Sequence, residues 1–362
     1  MIALLALAAA ALQAPAPIAS SSAPASPISW PTREADFIAR DVRFASGETM
    51  ATVRIHYTTL GTPHRDVAGV IDNAVMVLHG TGGTGGQFLQ PQFANELYGP
   101  GQPLDIRRYW VIMPDNIGHG RSSKPSDDLR MRFPKYGYDD MVALQHRLLT
   151  EGLGVTRLRL LLGTSMGCMH AFVWGETWPG FARALMPLAC QPVPIAGLNR
   201  MWREMLIDAI EADPVWAGGE YKTQPIQGLR TAASISVLAG AAPLYFQKLY
   251  PTQAAADAAA RDRVTRDIAS RDANDMIYQF DASRDYDPSA SLEKITVPMT
   301  WLNSADDFIN PRNFAFADAA VKRMPKARFR TIPETDDTHG HGTHTWAVNW
   351  KDDLVALLER SE

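Results

Sequence analysis

Leu158-Arg159-Leu160-Leu161-Leu162-Gly163-Thr164-Ser165-Met166-Gly167-Cys168-Met169-His170-Ala171-Phe172-Val173-Trp174 is the stretch on which the reading of this chain turns. An apolar run that stops at Gly163 predicts a buried strand of a parallel sheet. After Gly167 the apolar residues recur at helical spacing as far as Trp174. Between them lies Gly-Thr-Ser-Met-Gly, a Gly-x-Ser-x-Gly pattern. A strand-to-helix turn this tight leaves no room for Cβ atoms beside the serine, which is what the two glycines are for. The turn lifts Ser165 Oγ clear of the sheet edge and aims the first helical N–H groups at the same spot. The alternative is a glycine-rich turn that only packs a helix on a sheet.

Outward from that stretch, strands alternate with helices. Residues 36–46 and 51–60 alternate or are β-branched, and Gly47 and Glu48 join them as an antiparallel hairpin. The apolar runs 73–78, 109–113, 157–162 and 183–190 predict buried strands, and 139–153 an amphipathic helix closing at Gly154. This is the pattern of a parallel, doubly wound α/β sheet. From 191 to about 293 the pattern breaks into amphipathic, alanine-rich, charged helical segments, expected as a helical insertion or lid. Strand character returns at 295–302 and 328–332 around a helix at 313–324, and a last helix is expected at 345–360. The expected division is thus core over 29–190, insertion over 191–293, and core again over 294–362.

Of the 362 residues, 46% are hydrophobic and 20% charged, as in an ordinary globular protein. A net charge of −4, with no block of Lys and Arg, gives no footing for nucleic acid. Residues 1–13 are almost wholly apolar yet too short to span a bilayer, and 14–27 are mostly Ala, Pro and Ser. Residues 1–28 therefore read as a secretory signal and tether, cleaved near Ala14, although no Lys or Arg precedes Arg33. A secreted or periplasmic location is expected, and no later stretch is apolar for long enough to be a membrane helix. The two cysteines, Cys168 and Cys190, end up in apolar segments and are expected as free buried thiols, with a disulfide as the alternative.

A serine hydroxyl attacks only when a base removes its proton, and that base must be held in the right tautomer. The acid should follow a strand, and Asn303-Ser-Ala-Asp306-Asp307-Phe-Ile-Asn-Pro311 does. Asp307, four residues before Pro311, is the first choice and Asp306 the second; both could instead cap the helix that follows. The base comes from Thr338-His339-Gly340-His341-Gly342-Thr343-His344, where His341, with glycine on both sides, leads His344 and His339. Three histidines beside Asp336 and Asp337 also raise a metal site, which the flexible glycines disfavour. Backbone N–H groups of Met166 and of Thr81, in the loop His79-Gly80-Thr81-Gly82-Gly83, are the expected oxyanion donors. No Lys-Ser/Thr follows that loop, so phosphate binding is not its use.

With these residues in place the chain resembles the α/β-hydrolase fold and, within it, the homoserine O-acetyltransferase family, over roughly residue 44 to the C-terminus. The resemblance rests on Ile71-Asp-Asn-Ala-Val-Met-Val-Leu-His79, Gly99-Pro-Gly-Gln-Pro-Leu-Asp-Ile-Arg-Arg-Tyr-Trp-Val111 and Gly163-Thr-Ser-Met-Gly-Cys-Met169. It extends to Asp208-Ala-Ile-Glu-Ala-Asp-Pro-Val-Trp-Ala-Gly-Gly-Glu-Tyr221 with Gly228-Leu229, to Asp307-Phe-Ile-Asn-Pro311, and to Gly340-His341. It implies Ser165, Asp307 and His341 as a triad, no cofactor, a small-molecule acyl substrate and, by analogy, a homodimer. It departs from the family at Ala233, where the transferases usually carry an arginine for the amino acid's carboxylate; Arg230 is nearby but shifted. The loop Asn116-Ile-Gly-His-Gly-Arg-Ser-Ser123 is closer to the hydrolases' version, and export fits poorly with a need for cytoplasmic acetyl-CoA. The expected activity is ester hydrolysis through an acyl-serine, ahead of acyl transfer to an alcohol or amine, and ahead of a non-catalytic binding protein.

Overall fold

The computed structural model describes residues 28–312 and 315–362. The expected signal and its cleavage point therefore lie outside the described residues. The strands are β1 (Arg33–Arg43), β2 (Thr49–Leu60), β3 (Ala74–Leu78), β4 (Trp110–Pro114), β5 (Leu160–Thr164), β6 (Leu185–Leu188), β7 (Met299–Ser304) and β8 (Ala327–Ile332). They form one sheet in the order β1-β2-β4-β3-β5-β6-β7-β8. β1 and β2 are an antiparallel hairpin closed at Gly47, whose φ of 89° favours glycine. β2 also runs antiparallel to β4, and every pairing from β4 to β8 is parallel.

The parallel strands β3 to β6 are short apolar runs because both faces of the sheet there are covered. Along β3 the two-residue period sends Val75 and Val77 into one core, and Met76 and Leu78 into the other. The helices are α1 (Pro91–Leu97), α2 (Tyr138–Arg147), α3 (Met166–Thr177), α4 (Gly197–Glu211), α5 (Ile226–Ala239), α6 (Pro243–Leu249), α7 (Gln253–Ile268), α8 (Ala273–Asp281), α9 (Phe316–Arg323) and α10 (Lys351–Glu359). α1 and α10 bring Phe93, Leu97, Leu354 and Leu357 to the Val75 face. α2 and α3 bring Met141, Leu144, Phe172 and Trp174 to the other. α3 is buried from Met166 to Gly175, and Phe172 meets Trp301 of β7 edge-on at 5.4 Å between ring centroids. Each such ring contributes roughly 2–3 kcal/mol by leaving water.

Between β6 and β7 the chain carries only helices among the described residues, α4 to α8 and short turns. These helices share a core of their own. Trp202, Leu206 and Ile210 recur every fourth residue on α4 and pack against Leu229 and Ala232 of α5 and Met276 and Phe280 of α8. No single helix among the described residues is long and apolar enough to cross a membrane.

Two expectations are corrected here. The last helix begins at Lys351, not at 345, because 3-10 turns over Gly340–Thr345 and Ala347–Asn349 precede it. Those turns are held by the His339 N–H donating to Thr343 Oγ1 at 2.8 Å and by the His339 ring stacked on Trp346. Second, Cys168 and Cys190 are not free thiols but a disulfide. The first turn of α3 lies beside the chain leaving β6, which brings the two Cα atoms to 5.8 Å, within bridging range. The bridge closes a loop of sequence separation 22, so the double substitution Cys168→Ala, Cys190→Ala is expected to lower unfolding free energy by about 3 kcal/mol. Urea melts of oxidised wild type and the double variant check this, and superimposable curves would refute it.

Candidate active site

Ser165 sits where β5 turns into α3, with φ 52° and ψ −109°. A non-glycine residue in that region costs of order 1–3 kcal/mol and persists only where its surroundings impose it. The flanking glycines do so. A Cβ on Gly163 would stand 1.9 Å from the Gly167 carbonyl oxygen, and one on Gly167 would stand 2.2 Å from the Leu78 oxygen. The Ser165 N–H donates to Leu188 O at 2.8 Å, and the Gly167 N–H to His79 O at 3.1 Å, tying the turn to both neighbouring strand ends.

His341 Nε2 lies 2.8 Å from Ser165 Oγ, and His341 Nδ1 lies 2.9 Å from Asp307 Oδ2. Asp307 cannot donate while ionised, so Nδ1 carries the proton and Nε2 is left to accept from the serine hydroxyl. Asp307 follows β7 and is buried. Its Oδ1 accepts the N–H groups of Ile309 and Asn310 at 2.8 and 3.2 Å, and its Oδ2 also accepts Asn310 Nδ2 at 2.9 Å. Burial alone would raise its pKa, but the charge and hydrogen bond of His341, with the bonds from Asn310 and Ile309, hold it below the ordinary carboxylate value.

The second-choice residues are placed elsewhere. Asp306 accepts from Ser304 Oγ and from the Gly340 N–H, the latter at 2.9 Å, so it orients the histidine loop rather than the imidazole. His339 stacks on Trp346, and His344 sits edge-on to His341 at 5.2 Å between centroids. Burial, then the neighbouring His341, pushes the His344 pKa down to about 3. Among the described residues no three His, Cys, Asp or Glu side chains converge as metal ligands.

Neither the Thr81 N–H nor the Met166 N–H has a hydrogen-bond partner among the described residues. Met166 opens α3, so no earlier helical carbonyl accepts from it. A Cβ on Gly80 would stand 3.1 Å from Ser165 Cβ, so the loop carrying Thr81 passes against the serine. Sequence reasoning missed what holds this loop. His79 donates from Nδ1 to Gly80 O at 2.8 Å, and its Nε2 accepts the Asn116 N–H at 3.0 Å. Burial lowers the His79 pKa and keeps the ring neutral, which those two bonds require. Behind it Gln145 donates to Asn116 Oδ1 and accepts from Trp174 Nε1 at 2.7 Å. The signal was present in the loop Asn116–Ser123, but only as a likeness to other chains.

In front of the serine opens a cavity of about 440 Å³, walled mostly by apolar side chains such as Met169, Ile195, Trp202 and Phe308. Ser165 and His341 stand in its wall, as do Asn199 and Arg203 of α4. Ala233 is buried within α5 and is not part of that wall, and Arg230 is exposed. The arrangement can deprotonate a serine hydroxyl beside two free N–H donors at the edge of an apolar cavity. That is what acyl transfer to serine needs.

Known proteins carry the same frame. The chain is 31% identical over 260 residues to a protein named probable acyltransferase from Methanothermobacter thermautotrophicus, covering 72% of this chain and 78% of that one. It is 35% identical over 213 residues to a homoserine O-acetyltransferase from Geotalea daltonii, covering 54% of this chain and 56% of that protein. Among solved structures, a homoserine O-acetyltransferase from Bacillus anthracis superposes with TM-score 0.79 at 21% identity, over 91% of this chain and 98% of that one. An acetylester hydrolase from Corynebacterium glutamicum does so with TM-score 0.79 at 22% identity, over 91% and 96%. The sequence pattern of the alpha/beta hydrolase family matches residues 75–357. With that match, the parallel sheet and the serine on its strand-to-helix turn, the chain belongs to the alpha/beta hydrolase family.

Proposed function

We propose that this protein is a serine hydrolase that cleaves a carboxylic ester through an acyl-Ser165 intermediate. The observation that carries the reading is the hydrogen-bonded line from Ser165 Oγ through His341 to Asp307, at 2.8 and 2.9 Å. His341 Nε2 takes the hydroxyl proton as Oγ attacks the acyl carbon, and the carbonyl electron pair moves onto oxygen. Thr81 and Met166 N–H groups hold that oxyanion, and Asp307 stabilises the imidazolium. The tetrahedral intermediate collapses, the C–O bond to the alcohol breaks, and His341 returns its proton to the leaving oxygen. Water then attacks the acyl-serine with His341 again as base, releasing the acid and restoring Ser165. The reaction as written needs no cofactor.

The relatives' names favour a second reading, in which an alcohol or amine takes the acyl group in place of water. Two features support water. Position 233 is alanine, so the transferases' carboxylate-binding arginine is lacking there. The Cys168–Cys190 disulfide fits an oxidising compartment, in keeping with export and away from acetyl-CoA. Release of nitrophenol from a short-chain nitrophenyl ester is expected without any acceptor. Addition of homoserine, with the ester or with acetyl-CoA as donor, is expected to change the rate less than twofold. Acceptor-dependent release of CoA well above ester hydrolysis would replace hydrolase by transferase.

A further inference from the structure

Among the described residues, Arg203 is a buried cation without an anion. It stands on the inward face of α4, 3% exposed. Its Nε donates to Asn199 Oδ1 at 3.0 Å and its Nη1 to Ser283 Oγ at 3.3 Å. The guanidinium carbon lies 4.8 Å from the Trp202 ring centroid and 5.7 Å from that of Phe280. The third polar neighbour is the Tyr138 phenol, which burial keeps protonated. All these groups are neutral, and no carboxylate among the described residues pairs with Arg203. Acids are present on this part of the chain: Arg200, three residues earlier, pairs with Glu204 and reaches Asp281. They serve the outward arginine, not the inward one.

Burying a charge with no counter-charge costs several kcal/mol, more than two neutral hydrogen bonds and ring contacts return. A fold under no other demand would place leucine or methionine there. Arg203 and Asn199, one helical turn apart, both line the cavity that holds Ser165 and His341. The rest of the wall is mostly apolar, with Met169, Ile195 and Phe308 in it. A planar guanidinium pinned by rings and bonded through Nε and Nη1 keeps Nη2 without a hydrogen bond among the described residues, pre-organised to donate to a carboxylate. This is a different helix from the one that carries Ala233, so the site is not the transferases' arginine shifted by a residue.

We propose that Arg203 is the anion-binding group of the substrate cavity, and that the ester presented to Ser165 bears a carboxylate on an otherwise apolar skeleton. The proposal rests on the reading of Ser165 as nucleophile, and its test keeps the two apart. Two matched ester pairs are compared by kcat/KM. Nitrophenyl hemiglutarate against nitrophenyl pentanoate puts the carboxylate on the acyl side. 4-Acetoxybutyrate against butyl acetate puts it on the alcohol side. In at least one pair the wild type is expected to favour the anion about tenfold or more. Arg203→Met is expected to lower that anionic-to-neutral ratio about a hundredfold, and Arg203→Lys by less, since it keeps the charge but not the fork. No preference in either pair, or a ratio that Arg203→Met leaves unchanged, overturns the proposal. Calorimetric titration of Ser165→Ala protein with the preferred anionic ester reads the anchor without turnover. Binding there that Arg203→Met abolishes supports the anchor even if Ser165 proves not to be the nucleophile, and binding that survives the substitution rejects it.

Discussion

Ser165→Ala is expected to lower ester turnover by roughly five to six orders of magnitude, the loss seen when a nucleophile acting in concert with its base is removed. The alanine keeps the turn, since Ala189 and Ala217 already hold positive φ in this chain. It removes the one oxygen that His341 Nε2 faces at 2.8 Å. What remains is the cavity, with two N–H donors able to polarise a bound ester, worth a small residual rate over water alone. Initial rates with a nitrophenyl ester at high enzyme concentration measure the effect, and labelling with a fluorophosphonate probe locates it. A variant within tenfold of wild type, or one that still takes up the probe stoichiometrically, would dismiss Ser165 as nucleophile.

Asp307→Asn is expected to lower kcat by about 10⁴ without unfolding the protein. The local hydrogen bonds dictate the direction of the failure. Oδ1 accepts two backbone N–H groups, from Ile309 and Asn310, so an amide there must keep its oxygen on that side. Its NH2 then faces His341 Nδ1, which can only accept. The imidazole proton moves to Nε2, where it points at Ser165 Oγ and blocks the uptake of the hydroxyl proton. Asp306→Asn leaves the imidazole untouched and disturbs only the bonds from the Gly340 N–H and Ser304 Oγ, so a loss of about tenfold or less is expected. Steady-state kinetics of the two variants decide between the neighbouring aspartates. Equal losses would mean that the loop, not the tautomer, limits the reaction.

Much of this arrangement was legible in the sequence because it is local. A strand buried on both faces has to be a short apolar run, and the serine turn has to be glycine-flanked, as Gly163 and Gly167 are. Asp307 was preferred to Asp306 by its distance to Pro311, and His341 to His344 and His339 by its flanking glycines, but the alternatives stayed open because the contacts among Asp307, His341 and Ser165 join segments far apart in the chain. What was not legible depends on neighbours far along the chain. The cysteines read as thiols because nothing near either reveals that the first turn of α3 lies against the end of β6. Arg203 reads as one more charge on an amphipathic helix, and only its burial beside the cavity sets it apart. The final helix starts late because His339 and Trp346 stack, a contact that helical periodicity does not contain.

The helices between β6 and β7 have a consequence for how the protein comes into being. Leu188 pairs with Leu302, two positions adjacent in the sheet but separated by the whole of α4 to α8. Bringing such ends together costs roughly 4 kcal/mol of chain entropy for a loop of about a hundred residues, before any contact across the seam repays it. Ser165 lies on one side of that seam, and Asp307 and His341 lie on the other. The seam between β6 and β7 is a slow, non-local pairing by its topology. Activity regained after dilution from denaturant therefore reports the zipping of β6 to β7, and should lag behind the return of helical signal.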